Sequence, residues 1–221
     1  MILSPLPIDA FPDIYRLDGD PMAPNLVLLA HGAGAGMDHP FMTQFAQALA
    51  GGEIALIRFE FPYMIRARNE GKRRPPDRLP KLTECYQSWI EALADSGRCL
   101  FLAGKSMGGR VATVCGAEAP VAGVIALGYP FHPVGKSEPE KWRWEPVHAC
   151  ACPMLILQGE RDSFGSKAEL SQHTLPENVT LHYLPDGDHS FVPRKMSGVT
   201  EQQNLARAAE LARAFIEGQQ Q

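Results

Sequence analysis

Neither sign of charge dominates this 221-residue sequence, in which 21 Lys and Arg stand against 25 Asp and Glu. That balance excludes both the polycationic surface of a nucleic-acid binder and a long acidic tail. No apolar run approaches the roughly 18 residues that a membrane span needs, so neither a nucleic-acid nor a membrane partner is expected. Met1 to Pro12 lacks a basic leader region and is broken by Pro5, Pro7 and Pro12, so it does not read as a signal peptide. Together these absences point to the cytoplasm. Cysteine is scarce and odd in number, at Cys85, Cys99, Cys115, Cys150 and Cys152. Four of the five sit in or beside apolar segments, where a reduced thiol behaves as a small hydrophobe. Cys150-Ala-Cys152 has the look of half a metal site, but no second Cys/His pair follows at zinc-like spacing, and no metal is expected.

What is present is an alternation of apolar runs and helical patterns. With 45% apolar residues the chain can bury a substantial core, and residues 1–221 read as one domain. Leu26 to Ala30 is a continuous apolar run of the buried-strand kind, ending at His31-Gly32. Phe41, Phe45, Ala48 and Leu49 recur at helical spacing, and Ile54 to Phe61 is the next strand, stopped by Pro62. The polar, basic stretch from Arg66 to Arg78, with Pro75-Pro76 inside it, shows neither period and predicts a loop. Leu82, Tyr86, Trp89, Ile90 and Leu93 mark a second helix ending at Gly97. Cys99 to Ala103 is a strand, Met107 to Ala119 a helix, and Val121 to Leu127 and Met154 to Leu157 are further strands. Ser166 to Thr174 predicts a short helix and Val179 to Leu184 a last strand. Thr200 and Gln203 form a capping box for a final helix that runs to Gly218. This order implies an α/β fold, a mostly parallel sheet with helices on both faces, whose sites form outside the carboxyl ends of the strands.

Gly104-Lys105-Ser106-Met107-Gly108 matches G-x-S-x-G and lies between a strand and a helix, where a sharp turn lifts a serine hydroxyl clear of the sheet. A hydroxyl is a poor nucleophile until a base takes its proton. Two later strand ends supply the partners. Asp162 follows the strand from Met154, and His189 follows Leu184 across the turn Pro185-Asp186-Gly187-Asp188. The order Ser106, Asp162, His189 is the one used on such sheets. Glu160 is the nearest alternative acid, whereas Asp186 and Asp188 are suited to shaping the turn. Of seven histidines only His189 falls after the last strand; His31 and His39 flank the glycine-rich loop His31 to Gly36 and are placed to order it. An oxyanion needs two preorganised amide donors, for which Met107 and Ala33 are the candidates, with Gly34 behind Ala33. The same loop lacks the lysine-serine pair and the glycine spacing of a nucleotide site.

With these residues in place, the chain resembles the α/β-hydrolase superfamily over about residues 25 to 217. It is most similar to the small, capless, dienelactone-hydrolase-like members, and among them to a group of uncharacterised hydrolases. The shared segments read His31-Gly34, Arg58-Met64, Gly104-Arg110, Gly159-Asp162 and Gly187-Phe191. The resemblance implies an α/β-hydrolase fold with no cap, a Ser-His-Asp triad, and no cofactor. Dienelactone hydrolases proper carry a cysteine nucleophile, so Ser106 departs from them and their activity is not implied. Only Phe131 to Ala151 separate the strand at Val121 from the next, too little for a cap domain, which leaves the site open.

The expected activity is hydrolysis of small carboxylic esters, thioesters or related acyl compounds through an acyl-enzyme, with a small acyl molecule as the partner. A non-catalytic interaction module, and an acyltransferase or peptidase with the same triad, are the other readings that this fold permits. Gly34, Tyr63, Trp142 and Trp144 are candidate substrate contacts, the tryptophans either walling the site or packing the insert down. Arg66, Arg68, Lys72, Arg73, Arg74 and Arg78 either attract an anionic substrate or form a solvated loop.

Overall fold

The computed structural model describes residues 14–219; the Met1 to Pro12 stretch read above lies outside them. Seven strands form one sheet: β1 (Tyr15–Asp18), β2 (Asn25–Ala30), β3 (Ile54–Phe59), β4 (Cys99–Lys105), β5 (Gly123–Leu127), β6 (Met154–Gly159) and β7 (Val179–Leu184). Their spatial order is β1-β3-β2-β4-β5-β6-β7. All neighbours pair in parallel except β1, which runs antiparallel to β3. The helices are α1 (Pro40–Leu49), α2 (Pro62–Glu70), α3 (Leu79–Leu93), α4 (Met107–Gly116), α5 (Glu145–Ala149), α6 (Lys167–Leu170) and α7 (Glu201–Gly218).

The central strands are apolar at nearly every position because both of their faces are covered. Leu26, Leu28 and Ala30 of β2 point to the face packed by Leu82, Tyr86 and Trp89 of α3 and by Val111 and Ala112 of α4. Val27 and Leu29 point the other way, to Phe41 and Phe45 of α1 and Leu205, Ala208 and Ala212 of α7. The capping box expected at Thr200 and Gln203 is present on α7. Among the described residues no helix is long and apolar enough to cross a membrane.

The basic stretch corrects the expectation of a loop, since its first part is helical. Pro62, read as a strand stop, sits in the first turn of α2, where its missing N–H costs nothing, and Gly71 closes the helix at φ 62°. Only Tyr63 of α2 is buried, so the helix shows no apolar stripe from which its period can be read. Four other elements are shorter than expected: β3 ends at Phe59, the fifth strand begins at Gly123, α6 spans only Lys167–Leu170, and α4 ends at Gly116. Residues 128–153, between β5 and β6, hold only a 3-10 turn at Pro139–Lys141 and the short α5, so no cap covers the sheet edge.

Candidate active site

β4 runs without a break into Ser106, and α4 starts at the next residue. Ser106 sits at φ 53°, ψ −113°, a backbone region that costs an L-residue about 1–3 kcal/mol and persists only when its surroundings impose it. Here they do. The Ser106 N–H donates to Leu127 O at 2.9 Å, and Ser106 O accepts from the Arg110 N–H at 3.0 Å. A Cβ on Gly104 would stand 2.2 Å from the Gly108 carbonyl carbon, and one on Gly108 would stand 2.5 Å from Ala30 O. The two motif glycines therefore let α4 press onto the ends of β2 and β4.

The ends of β6 and β7 bring the partners. His189 Nε2 lies 2.8 Å from Ser106 Oγ, and His189 Nδ1 lies 2.8 Å from Asp162 Oδ2. With Nδ1 facing a carboxylate, the proton belongs there, and Nε2 presents its lone pair to the serine. Asp162 is fully buried. Its charge is met twice more, by the Phe164 N–H on Oδ1 at 2.8 Å and by Gln158 Nε2 on Oδ2 at 2.9 Å. Glu160, the alternative acid, turns away to Lys167 and to the Asp186 N–H. Asp188 Oδ1 accepts from the Ser190 and Val192 amides, and Asp186 pairs with Arg194.

Sequence reasoning passed over four residues around this relay. Gln158 is buried, and the partners of its amide nitrogen are all acceptors: Tyr129 O, Asp162 Oδ2 and Gly165 O. The Phe164 ring lies 4.3 Å from the His189 ring. Lys105 donates from Nζ to His189 O at 2.6 Å and stands 5.4 Å above the Phe41 ring. Burial pushes its ammonium down to about 8, with Asp162 and Asp188 pulling the other way. Gly128, at φ 64°, leaves room for both, since a Cβ there would be 3.0 Å from His189 O and from Lys105 Nζ. The only prior signal was positional: Gln158 immediately before the G-x-RD turn, Lys105 inside the serine motif.

The loop after β2 is held from beneath. Buried His31 places Nδ1 2.7 Å from Gly32 O and accepts the Phe61 N–H on Nε2 at 3.1 Å. Burial holds its imidazole down at about 4, so it is neutral near pH 7. His39 caps α1 by accepting the Phe41 N–H. The Tyr63 hydroxyl donates to Ala33 O at 3.0 Å, with Gly32 O at 3.2 Å. Tyr63 thus fixes the loop rather than facing a ligand. The amides of Ala33 and of Met107, the first residue of α4, have no acceptor among the described residues.

A cavity of about 400 Å³ opens in front of Ser106, with Ala33, Gly34, Phe41, Met42, Phe164 and His189 in its wall. Trp142 and Trp144 are not part of that wall. They stack at 5.2 Å with 2° between their planes, pack on Phe131, and line a separate cavity with Glu169 and His173. Cys150 and Cys152 bring their sulfurs to 3.6 Å, and no group of three His, Cys, Asp or Glu suited to a metal occurs among the described residues.

Residues 23–217 match the family model described as "Alpha/beta hydrolase domain". The fold is similar to that of a lid-less α/β serine hydrolase of Xanthomonas campestris, with 19% identity, a TM-score of 0.66, and 92% of this chain and 88% of that one covered. It is similar to a dienelactone hydrolase of Anabaena variabilis, at 19% identity and TM-score 0.68 over 98% and 96% of the two chains. Est1E of Butyrivibrio proteoclasticus with bound ferulic acid gives 17% identity and TM-score 0.67 over 93% and 94%. At these identities the structural likeness speaks to the fold.

Proposed function

The chain belongs to the alpha/beta hydrolase domain family, and from that premise we propose that it is a serine hydrolase of small carboxylic esters, thioesters or related acyl compounds. The observation that carries this reading is the unbroken line from Ser106 Oγ through both nitrogens of His189 to Asp162, each gap 2.8 Å. A structural hydrogen-bond network has no need of a serine held in a strained backbone at the mouth of a cavity.

In the proposed reaction Ser106 Oγ attacks the substrate carbonyl carbon as His189 Nε2 takes its proton. The carbonyl π electrons move onto oxygen, and the Met107 and Ala33 amides receive that oxyanion. Asp162 holds the Nδ1 tautomer and stabilises the imidazolium. His189 then gives its proton to the departing alcohol or thiol as the bond to it breaks. Water repeats the sequence on the acyl-serine and frees the acid. The cavity beside Ser106 suits a small acyl group, with Phe41, Met42 and Phe164 offering apolar wall and Gly34 bare backbone.

Labelling of the purified protein by a fluorophosphonate, with Ser106→Ala as control, tests the proposal. Wild type should label at one site and Ser106→Ala not at all. Folded wild type that stays unlabelled would overturn the reading.

A further inference from the structure

Of the 21 Lys and Arg, seven fall within residues 66–81, so positive charge is concentrated at one place in a chain of net charge −4. α2 and the loop after it bring four of those seven to a cavity of about 480 Å³, whose wall includes Ala33, Gly34, Arg68, Lys72, Arg73 and Arg74. Ala33 and Gly34 also line the cavity in front of Ser106. The two spaces therefore meet across the oxyanion loop. Apart from its chain neighbours, nothing stands within 4 Å of where a Gly34 Cβ would be, so the loop is open at that point.

Charge in the second cavity is only partly answered. Arg68 lies 3.1 Å from Glu60, and Arg74 pairs with Glu70. Lys72 and Arg73 are exposed and form no ion pair among the described residues. Four cations against two carboxylates leave a surplus of two positive charges beside the cavity in front of Ser106. A phosphate monoester, close to a dianion at neutral pH, has the charge to match.

We propose that the leaving half of the substrate carries a phosphate and lies in this cleft, across Ala33 and Gly34 against Lys72 and Arg73. The assignment of halves follows from the chemistry of an acyl-enzyme. The half that remains on Ser106 occupies the cavity that contains Ser106, walled by Phe41, Met42 and Phe164, and the half that departs occupies the adjoining basic one. The proposal rests on the hydrolase reading above and narrows it to acyl esters or thioesters of a phosphorylated alcohol or thiol.

Binding to the departed half can be measured without turnover. The full chain is titrated calorimetrically at low ionic strength with 4′-phosphopantetheine and with pantetheine, two thiols that differ only by the phosphate. Wild type should bind the phosphorylated thiol at least about tenfold tighter, and 0.5 M NaCl should remove most of that preference. Lys72→Ala with Arg73→Ala should lose it too. Lys195→Ala with Arg207→Ala, which removes the same charge from exposed sites elsewhere, should keep it. Equal affinity for the two thiols in wild type, or an unchanged preference in the Lys72/Arg73 variant, overturns the proposal. An equal loss in the Lys195/Arg207 variant does so as well, because net charge alone would then explain the effect. Fluorophosphonate labelling of the same preparation reports separately on the serine, so failure of the hydrolase reading is distinguishable from failure of this one.

Discussion

The residue that decides whether His189 can serve as a base lies one contact behind the triad. Asp162 is buried without a cation bonded to it, and its Oδ2 is shared between His189 and the Gln158 amide. Gln158 is itself gripped by two backbone carbonyls, Tyr129 O and Gly165 O, from the loops on either side. It therefore fixes where the carboxylate stands as well as meeting its charge. A hydrogen bond to a charged group is worth about 1.5–3 kcal/mol. If most of that is felt in the transition state, Gln158→Leu should lower kcat on a neutral ester by roughly 10- to 100-fold. KM should stay close to wild type, since Gln158 does not reach the cavity in front of Ser106. Gln158→Glu, which sets a second carboxylate against Asp162, should be no better than leucine. A kcat within twofold of wild type in Gln158→Leu would mean that the Phe164 amide orients Asp162 unaided.

Elements differ in how plainly the sequence announces them, and the reason is packing. Strands buried on both faces, such as β2 and β4, are continuous apolar runs, and α3 and α7 carry one apolar stripe each. All four were legible, and with them the strand ends that place Ser106, Asp162 and His189. β1 and α2 were not. β1 is a four-residue antiparallel edge whose residues are only partly buried, and α2 buries Tyr63 alone. Besides its pairing with β3 and the contact of Tyr15 with Trp89, β1 is tied by charge. Arg58 of β3 donates to both carboxylate oxygens of Asp18, at 2.7 and 3.1 Å, and from Nη1 to Met37 O and Thr43 Oγ1. Such a link depends on register, so nothing in the local sequence reveals it, although Arg58 opens the segment Arg58-Met64 singled out for its resemblance. Removing one partner of a largely buried pair leaves the other uncompensated. Arg58→Leu should therefore destabilise the fold by about 3 kcal/mol, measured by urea unfolding at pH 7, and Asp18→Asn should recover part of that loss in the double variant. Strict additivity of the two substitutions would show that the pair does not couple the strands.

At the scale of the whole molecule one seven-stranded sheet carries the site, and His31 joins two of its strand ends by taking the Phe61 N–H from beyond β3 onto the loop that follows β2. That bond needs an unprotonated Nε2. Protonation would set a donor against a donor and place a charge where no solvent reaches, which is why burial holds the imidazole at about 4 against an ordinary 6.5. Above pH 6.5 neither folded nor unfolded chain is protonated at His31, and its contribution to stability is complete. Between 6.5 and 4 the unfolded chain accepts a proton that the folded chain refuses, so stability falls as pH falls. By pH 4.5 the loss is on the order of 2 kcal/mol relative to pH 7. Glu60 acts in the opposite sense, because burial raises its carboxyl and the folded state then takes up protons more readily than the unfolded. The informative quantity is thus the difference between two proteins. His31→Gln keeps an acceptor for the Phe61 N–H and cannot titrate in this range. Urea midpoints at pH 7 and 4.5 should drop further for wild type than for His31→Gln, by an amount equivalent to about 2 kcal/mol. Parallel pH profiles in the two proteins would place the acid sensitivity of the fold in its carboxylates instead.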